Sequence, residues 1–299
     1  MKIGVIGTGA MGGGMVVNLL TRGYEVHLRD IDPSREAPLI ERGGIRQPDP
    51  ATLTARVDAV LVVVETAAQI DAVLGGEHGL LAALNSAAHA DQPTAVFLCS
   101  TIAPEDTIRF ATAIEQAGGV AIDAPISGGP VRAADGTMSI MLAADAGQLE
   151  RLDPLLKDLA VSRFVVSATP GDGARAKLAN NLAAGAYLAA ASEAMSLAVS
   201  MGLDPEKMRH LMAASSGQSW IGDDRLPRGL AGLMPAVGAA TRVLTKDLTL
   251  AVQAANTKGA PVPLGQAALE RFEQACAQQM SDCDDSSLYT LYRQQTPGS

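Results

Sequence analysis

Short apolar runs, each too brief for a helix, recur through the first half of the chain and alternate with segments of helical period. KIGVI (2–6), YEVHLRD (24–30), DAVLVVV (58–64), TAVFLCS (94–100) and VAIDAP (120–125) read as strands. MGGGMVVNLLTRG, AQIDAVLG and PEDTIRFATAIEQAG read as helices between them. TMSIMLAA (137–144) and RFVVSA (163–168) are two further strands, with AGQLERLDPLLKDL helical between. DAVLVVV carries apolar, β-branched side chains on both faces, so both faces must be covered. Strand and helix in alternation, with no early hairpin signal, imply an α/β domain built on a doubly wound, mostly parallel sheet.

The character changes at TPGDG, near residue 170, and the remainder of the chain reads as all helical. Two domains are expected, 1–168 and 169–299. The first helix of the second domain is GARAKLANNLAAGAYLAAASEAMSLAVSMG (173–202). If helical throughout from 172 to 201, it is about 45 Å long. Its length suggests a membrane span, but Asn180, Asn181 and Glu193 interrupt it and Ala outnumbers Leu and Ile, so a helix buried in protein is expected. Shorter helices are predicted near 204–215, 237–258 and 263–280, with GAPVPLG a loop and the tail QQTPGS loose.

The 299 residues carry a formal charge of −9, which disfavours nucleic acid and anionic membranes as partners. Cys99, Cys276 and Cys283 are odd in number and form no CxxC pair, which points to a reducing cytoplasm rather than a disulfide framework. The start, MKIGVIGTGAMG, does not have the pattern of a signal peptide. His27, His78, His89 and His210 lack metal-ligand spacing, so no metal is expected.

Three places carry chemistry. The first is the turn from Gly7 through Gly9, Ala10 and Met11 to Gly12, a GxGxxG pattern between a strand and a helix. Its glycines allow a tight turn, close approach of a pyrophosphate, and helix–strand packing, while the helix N-terminus offers N–H groups to phosphate. Asp30 ends the second strand, where a carboxylate accepts the adenine ribose hydroxyls and disfavours the 2′-phosphate of NADP. NAD is therefore the expected cofactor, with NADP left possible by the neighbouring Arg29 and Arg35. A solvated strand end is the other reading of Asp30.

The second place is DAPISGGP (123–130), at the end of a strand. Ser127 offers a hydroxyl, and Gly128 and Gly129 leave N–H groups unshielded, which suits a carboxylate. A plain turn is the alternative. CSTIAP ends the preceding strand and sets Thr101 beside the nicotinamide or ribose. The third place is Lys177, four residues before Asn181 and on its helix face, with Asn180 turned away by about 100°. A solvated lysine is the ordinary case. In a partly desolvated cleft, however, the pKa of a lysine falls and the amine exchanges a proton with a substrate hydroxyl. No GxSxG elbow, Walker loop or Tyr-x-x-x-Lys pair competes with this reading.

GVIGTGAMG, DAPISGGPVRAADGTMSIML, GDGARAKLANN and LTKDLTLA resemble, in that order, the motifs of the β-hydroxyacid dehydrogenase family. That family includes 3-hydroxyisobutyrate dehydrogenase and tartronate semialdehyde reductase and is related to 6-phosphogluconate dehydrogenase. The resemblance covers nearly the whole chain. It implies a Rossmann-type dinucleotide-binding domain, then an all-α domain for substrate binding and oligomerisation, with cofactor and substrate in a cleft between them. By motif position it implies Lys177 as catalytic acid/base and Asn181 as its substrate-binding neighbour. Ser127, Gly128 and Gly129 would bind the substrate carboxylate, Thr101 and Lys246 would contact the cofactor, and Asp247 would support the cleft. Read from the residues alone, Lys246 and Asp247 pass for a solvated charge pair.

GQSWIGDDRLP (217–227) and DDSSLYTLYR (284–293) look most like the branch that acts on four-carbon sugar acids such as L-threonate. Ala239 and Ala240 stand where many members carry an aromatic residue, and Glu65 and Thr66 occupy a turn that often holds a proline.

The expectation is an NAD-dependent dehydrogenase of a small hydroxy acid, of the 3-hydroxyisobutyrate, glycerate or threonate kind. It would be a homodimer or homotetramer with a small carboxylate-bearing substrate. One alternative is a reductase of small aldehyde acids such as tartronate or succinic semialdehyde. A non-catalytic dinucleotide sensor or docking protein is the alternative from another class.

Overall fold

Strand β4 (Ala59–Val62) is wholly buried and divides its side chains between two cores. The computed structural model from which this is read describes residues 1–87, 92–236 and 238–295, so His89 and residues 296–299 of the tail lie outside it. Ala59 and Leu61 face one core, while Val60 and Val62 face the other. β5 (Ala95–Leu98) repeats the pattern, Ala95 and Phe97 against Val96 and Leu98. Period-two alternation in a strand apolar at every position buries a sheet on both sides.

The sheet holds β1 (Lys2–Ile6), β2 (Glu25–Arg29), β3 (Ile45–Arg46), β4, β5, β6 (Val120–Asp123), β7 (Ile126–Ser127), β8 (Met138–Ala143) and β9 (Ala160–Ser167). Its order is β3-β2-β1-β4-β5-β6-β8-β7, with β9 beside β8. The first six are parallel, β8 runs antiparallel to β6 and β7, and β9 is parallel to β8. β1 lies between β2 and β4, so the chain reverses its direction of winding there. Ligands of doubly wound sheets gather beyond the carboxyl ends of strands at such a point.

The helices of this half are α1 (Ala10–Thr21), α2 (Pro33–Ile40), α3 (Pro50–Thr54), α4 (Ala67–Leu74), α5 (Leu80–Ala87), α6 (Pro104–Gln116), α7 (Gly129–Asp135) and α8 (Ala146–Leu159). Met15, Val16 and Leu19 of α1 share one core with Leu149, Leu152 and Leu156 of α8. Ile70, Leu84, Phe110 and Ile114 fill the other. α2 and α3 were not expected, although Asp32-Pro33 and Asp49-Pro50 mark their starts, each Asp capping a backbone N–H and each Pro sitting in the first turn.

The chain divides into two compact units, Met1–Lys177 and Leu178–Ser299. The long helix α9 (Asp172–Ser200) starts in the first and continues into the second. The C-terminal unit adds α10 (Pro205–Ala213), α11 (Trp220–Ala231), α12 (Thr241–Lys258), α13 (Pro263–Ala275) and α14 (Leu288–Gln294). Leu188 of α9 packs with Leu244, Leu248 and Val252 of α12 and Phe272 of α13. Met195 packs with Met212, Leu226 and Tyr289. By length and composition alone α9 could cross a membrane, its most apolar 18 residues having a mean hydropathy of 1.4. Its Leu188, Ser192 and Met195 are nevertheless buried in protein, whereas Tyr187 and Leu197 are exposed.

α12 starts at Thr241, after backbone drawn into bridges, Pro235 to Cys283 and Ala240 to Asp284; residue 237, the expected start, lies outside the described residues. α13 stops at Ala275, where a π turn (Cys276–Met280) comes next and Gln279 adopts a positive φ. α11 and α14 had no clear signal in the sequence.

Candidate active site

The glycine turn joins β1 to α1. A Cβ at Gly12 would lie 1.9 Å from the Gly7 carbonyl oxygen, so no side chain fits where helix and turn meet. α2, α3, α4 and α8 each receive a side-chain cap, from Asp32, Asp49, Thr66 and Asp145. α1 begins after Gly9 without one and has no acidic residue in its first turn. Its first N–H groups therefore have no side-chain acceptor, the arrangement in which a helix N-terminus can take an anion.

Asp30 lies at the end of β2 and is buried. Its Oδ2 accepts from the Thr8 N–H at 2.6 Å and from the Thr8 hydroxyl at 3.2 Å, and its Oδ1 accepts from the Asp32 N–H at 2.9 Å. The carboxylate thus braces the glycine turn from below. The neighbouring arginines are each matched by a carboxylate. Arg29 contacts Glu36 Oε1 at 3.4 Å, Arg46 lies 2.7 Å from Glu36 Oε2, and Arg35 lies 3.5 Å from Asp32. Glu36 is 1% exposed and also accepts from the Asp30 N–H. Ile31, between the two aspartates, is 87% exposed.

The Ser127–Gly129 turn leads from β7 into α7. Gly128 and Gly129 have φ of 131° and 79°, a region L side chains rarely enter. α7 too begins without a side-chain cap. α1 and α7 pack closely: a Cβ at Gly14 would lie 2.9 Å from the Pro130 carbonyl oxygen. The two uncapped turns predicted as anion sites are thereby brought side by side in one unit. Arg132, missed in the sequence, lies against Gly128 and donates to the Thr137 carbonyl. Its position four residues past Gly128 on a helix was a usable signal.

Thr101 lies just past the end of β5, in a loop anchored by the Ser100 hydroxyl, which donates to the Val64 carbonyl at 2.6 Å. Cys99 is buried, and burial together with the nearby Asp123 carboxylate pushes its thiol up to about 12, which removes it as a nucleophile.

Lys177 and Asn181 are both 6% exposed, one turn apart on α9, while Asn180 is exposed. This is the face relation expected from their spacing. In the C-terminal unit the Asn181 Nδ2 donates to Asp247 Oδ2 at 2.7 Å, and Asn180 Nδ2 donates to Asn181 Oδ1 at 3.2 Å. Lys246 Nζ lies 2.9 Å from Asp247 Oδ1. Asp247 is 5% exposed and Lys246 only partly buried, so the aspartate of the pair that looked solvated is a buried brace for an amide.

A second charged cluster in this unit was not anticipated. Arg225 donates to Asp285 at 2.6 Å and to Asp224, and Arg228 donates to Asp284 at 3.1 Å. Asp284 also accepts from the Gly238 N–H at 2.9 Å, and the Asp285 N–H donates to the Ala239 carbonyl at 2.9 Å. The cluster joins the segments 217–227 and 284–293 and fixes the backbone around Ala239. Burial pushes the Asp285 carboxyl up to about 6 despite the guanidinium beside it. Asp284 lies well below the ordinary range because backbone N–H, hydroxyl and guanidinium donors outweigh its partial burial. Among the described residues, no group of His, Cys, Asp or Glu is placed to hold a metal ion.

Residues 2–167 match the family model for the NAD binding domain of 6-phosphogluconate dehydrogenase. Residues 171–292 match that for the NAD-binding of NADP-dependent 3-hydroxyisobutyrate dehydrogenase. The chain is 34% identical to L-threonate dehydrogenase of Cupriavidus necator over 97% of its own length and 96% of the relative's. It is similar to the crystal structure of 3-hydroxyisobutyrate dehydrogenase from Salmonella typhimurium, with a TM-score of 0.86 and 31% identity over 97% of this chain and 99% of that one. It is also similar to Psf3 in complex with NADP+, with a TM-score of 0.87 and 26% identity over the same shares of the two chains.

Proposed function

The chain belongs to the β-hydroxyacid dehydrogenase family, and from that premise we propose how this member works, with Lys177 as its acid/base. It is an NAD(P)-dependent oxidoreductase acting on the CH–OH group of a small hydroxy acid. The N–H groups of the Gly7–Gly12 turn and α1 hold the pyrophosphate, and Thr101 and Lys246 contact the rest of the cofactor. Bound nicotinamide supplies a hydride acceptor. The Ser127 hydroxyl and the Gly128 and Gly129 N–H groups hold the substrate carboxylate. Asn181 holds the reacting oxygen through the Nδ2 hydrogen not given to Asp247. Lys177 takes the hydroxyl proton in oxidation and returns it in reduction, a contribution of roughly 10²–10⁴-fold.

One observation carries this reading. Lys177 is buried, one turn into a helix whose first N–H groups bond to Asp123, the last residue of β6. That strand runs directly into the Ser127–Gly129 turn. Acid/base group and carboxylate site therefore share one rigid support.

The substrate we favour is a four-carbon sugar acid such as L-threonate. Its support is the 34% identity to a threonate dehydrogenase and the ion cluster that joins the two segments resembling that branch. NAD is favoured over NADP, since Asp32 and Glu36 claim the arginines around the ribose position and the Asp30 carboxylate beside them would repel a 2′-phosphate. Initial rates with both cofactors against threonate, glycerate, 3-hydroxyisobutyrate and 4-hydroxybutyrate test this. The expected result is the highest kcat/KM with threonate and NAD. Turnover with none of the four would remove the reading. Because only a neutral amine accepts a proton, oxidation should also accelerate as pH rises while reduction slows.

The working form we infer is a homodimer or homotetramer. Tyr187 and Leu197 of α9 and Met201 just past its end are each more than half exposed, an apolar stripe suited to a second copy. Sedimentation at micromolar concentration should give two or four chains per particle, and a lone chain would overturn the inference. The three free thiols support a reducing, cytoplasmic setting.

A further inference from the structure

Helix α9 takes its N-terminal cap from a distant strand. The N–H groups of Gly171, Gly173 and Ala174 donate to one oxygen, Oδ2 of Asp123, at 2.7, 2.9 and 3.3 Å. Forty-eight or more residues separate donors and acceptor along the chain. A neighbouring Ser, Thr, Asp or Asn would satisfy the same donors from the surface, as Asp32, Asp49, Thr66 and Asp145 do at other helices of this unit. Here the carboxylate is instead 1% exposed. Burial, partly offset by the three N–H donors, raises it to about 6, so its position is unfavourable for the charge it carries.

The backbone of Asp123 is held on both sides. It sits in register with Leu98 of β5 and Ala143 of β8. Four residues later the chain reaches Ser127, and four residues past Gly173 the helix reaches Lys177. Contact at the helix end is tight: a Cβ at Gly173 would lie 2.8 Å from Asp123 Oδ1.

We propose that Asp123 is a positioning residue, whose carboxylate locks the first turn of α9 to the end of β6 and so sets the placement of Lys177 against the Ser127–Gly129 turn. The proposal rests on Lys177 being the acid/base. A displacement of about 1 Å at a reacting group lowers rates by around a hundredfold. The clamp therefore acts on turnover and leaves the glycine turn and its cofactor untouched.

The test compares Asp123→Asn, Gly173→Ala and Lys177→Ala in the full-length protein, each checked for folding by circular dichroism and thermal melting. Asp123→Asn removes the charge, and Gly173→Ala pushes against the carboxylate from the other side. Both should lower kcat 10- to 100-fold while the Kd for NAD, read by fluorescence titration, stays within twofold. Gly173→Ala is the sharper variant, because alanine ordinarily favours a helix. A melting temperature held or raised together with lost turnover is not what a merely structural cap would give. Folded Asp123→Asn or Gly173→Ala with wild-type kcat would overturn the proposal, as would a kcat loss matched by an equal loss of NAD affinity. If Asp123→Asn does not fold, Gly173→Ala decides alone. Wild-type turnover in Lys177→Ala would instead sink the assignment beneath it.

Discussion

In the N-terminal unit the candidate ligand positions are mostly backbone: Gly7, Gly9 and Gly12 in one turn, Gly128 and Gly129 in another, each before a helix that lacks a side-chain cap. In the C-terminal unit they are side chains held by other side chains, Asn181 by Asp247, with Lys246 alongside. Backbone donors need only the right φ and ψ and the absence of a Cβ. An amide or ammonium must be oriented by a partner, and when both are buried that partner is a charge. The backbone turns should therefore bind without reacting, and the buried side chains should be sensitive to any lost charge.

The largest effect expected from that contrast is at the residue where the units divide. Lys177→Ala should lower kcat by roughly 10²–10⁴-fold and leave NAD affinity within twofold, as read by steady-state rates and fluorescence titration. Equal loss of both would break the separation between binding and chemistry.

Next comes the ion cluster. Arg225→Met leaves the Asp285 carboxylate buried without its guanidinium, which destabilises by about 3–5 kcal/mol near neutral pH. The Asp285 carboxyl is already raised to about 6. A raised pKa means its favourable contribution is complete below the ordinary carboxylate range and fades as pH climbs through about 6. Without Arg225 the rise is greater, so the melting deficit of the variant should be larger at pH 7.5 than at pH 5. A deficit independent of pH would mean that the cluster is not what is lost.

A smaller effect is expected at Asp247→Asn. The amide keeps an acceptor for Asn181 but gives up the charge, a change of about 1.5–3 kcal/mol for a charge-assisted bond. It should appear as a drop of about tenfold or more in kcat/KM for the hydroxy acid, larger than the change in the Kd for NAD that follows from releasing Lys246.

The same contrast governs what could be read from the chain. The glycine turn, its strand and its helix were legible because glycine spacing encodes a backbone shape. Ser127–Gly129 was visible for the same reason, although its glycines gave no hint of α7 behind it. Lys177 and Asn181 were legible as a shared face because helical period is a local property. Asp247 was not, since a Lys-Asp dipeptide looks the same in solvent as it does beneath Asn181. Nor were Arg225 and Asp285, which lie sixty residues apart and become a pair only once α11 and the segment before α14 meet. Asp123 stands within a legible motif, yet its task is set by three N–H groups some fifty residues away. Spacing cannot disclose that kind of contact.

The brace between Asp30 and Thr8 bears on any attempt to re-engineer cofactor choice. The obvious site for such a change is the acidic residue ending β2, but here that carboxylate also holds the phosphate turn in shape. Exchanging it would loosen the grip on either dinucleotide before selectivity had shifted. The accessible lever stands one residue on, at Ile31, whose side chain projects outward and carries no structural duty.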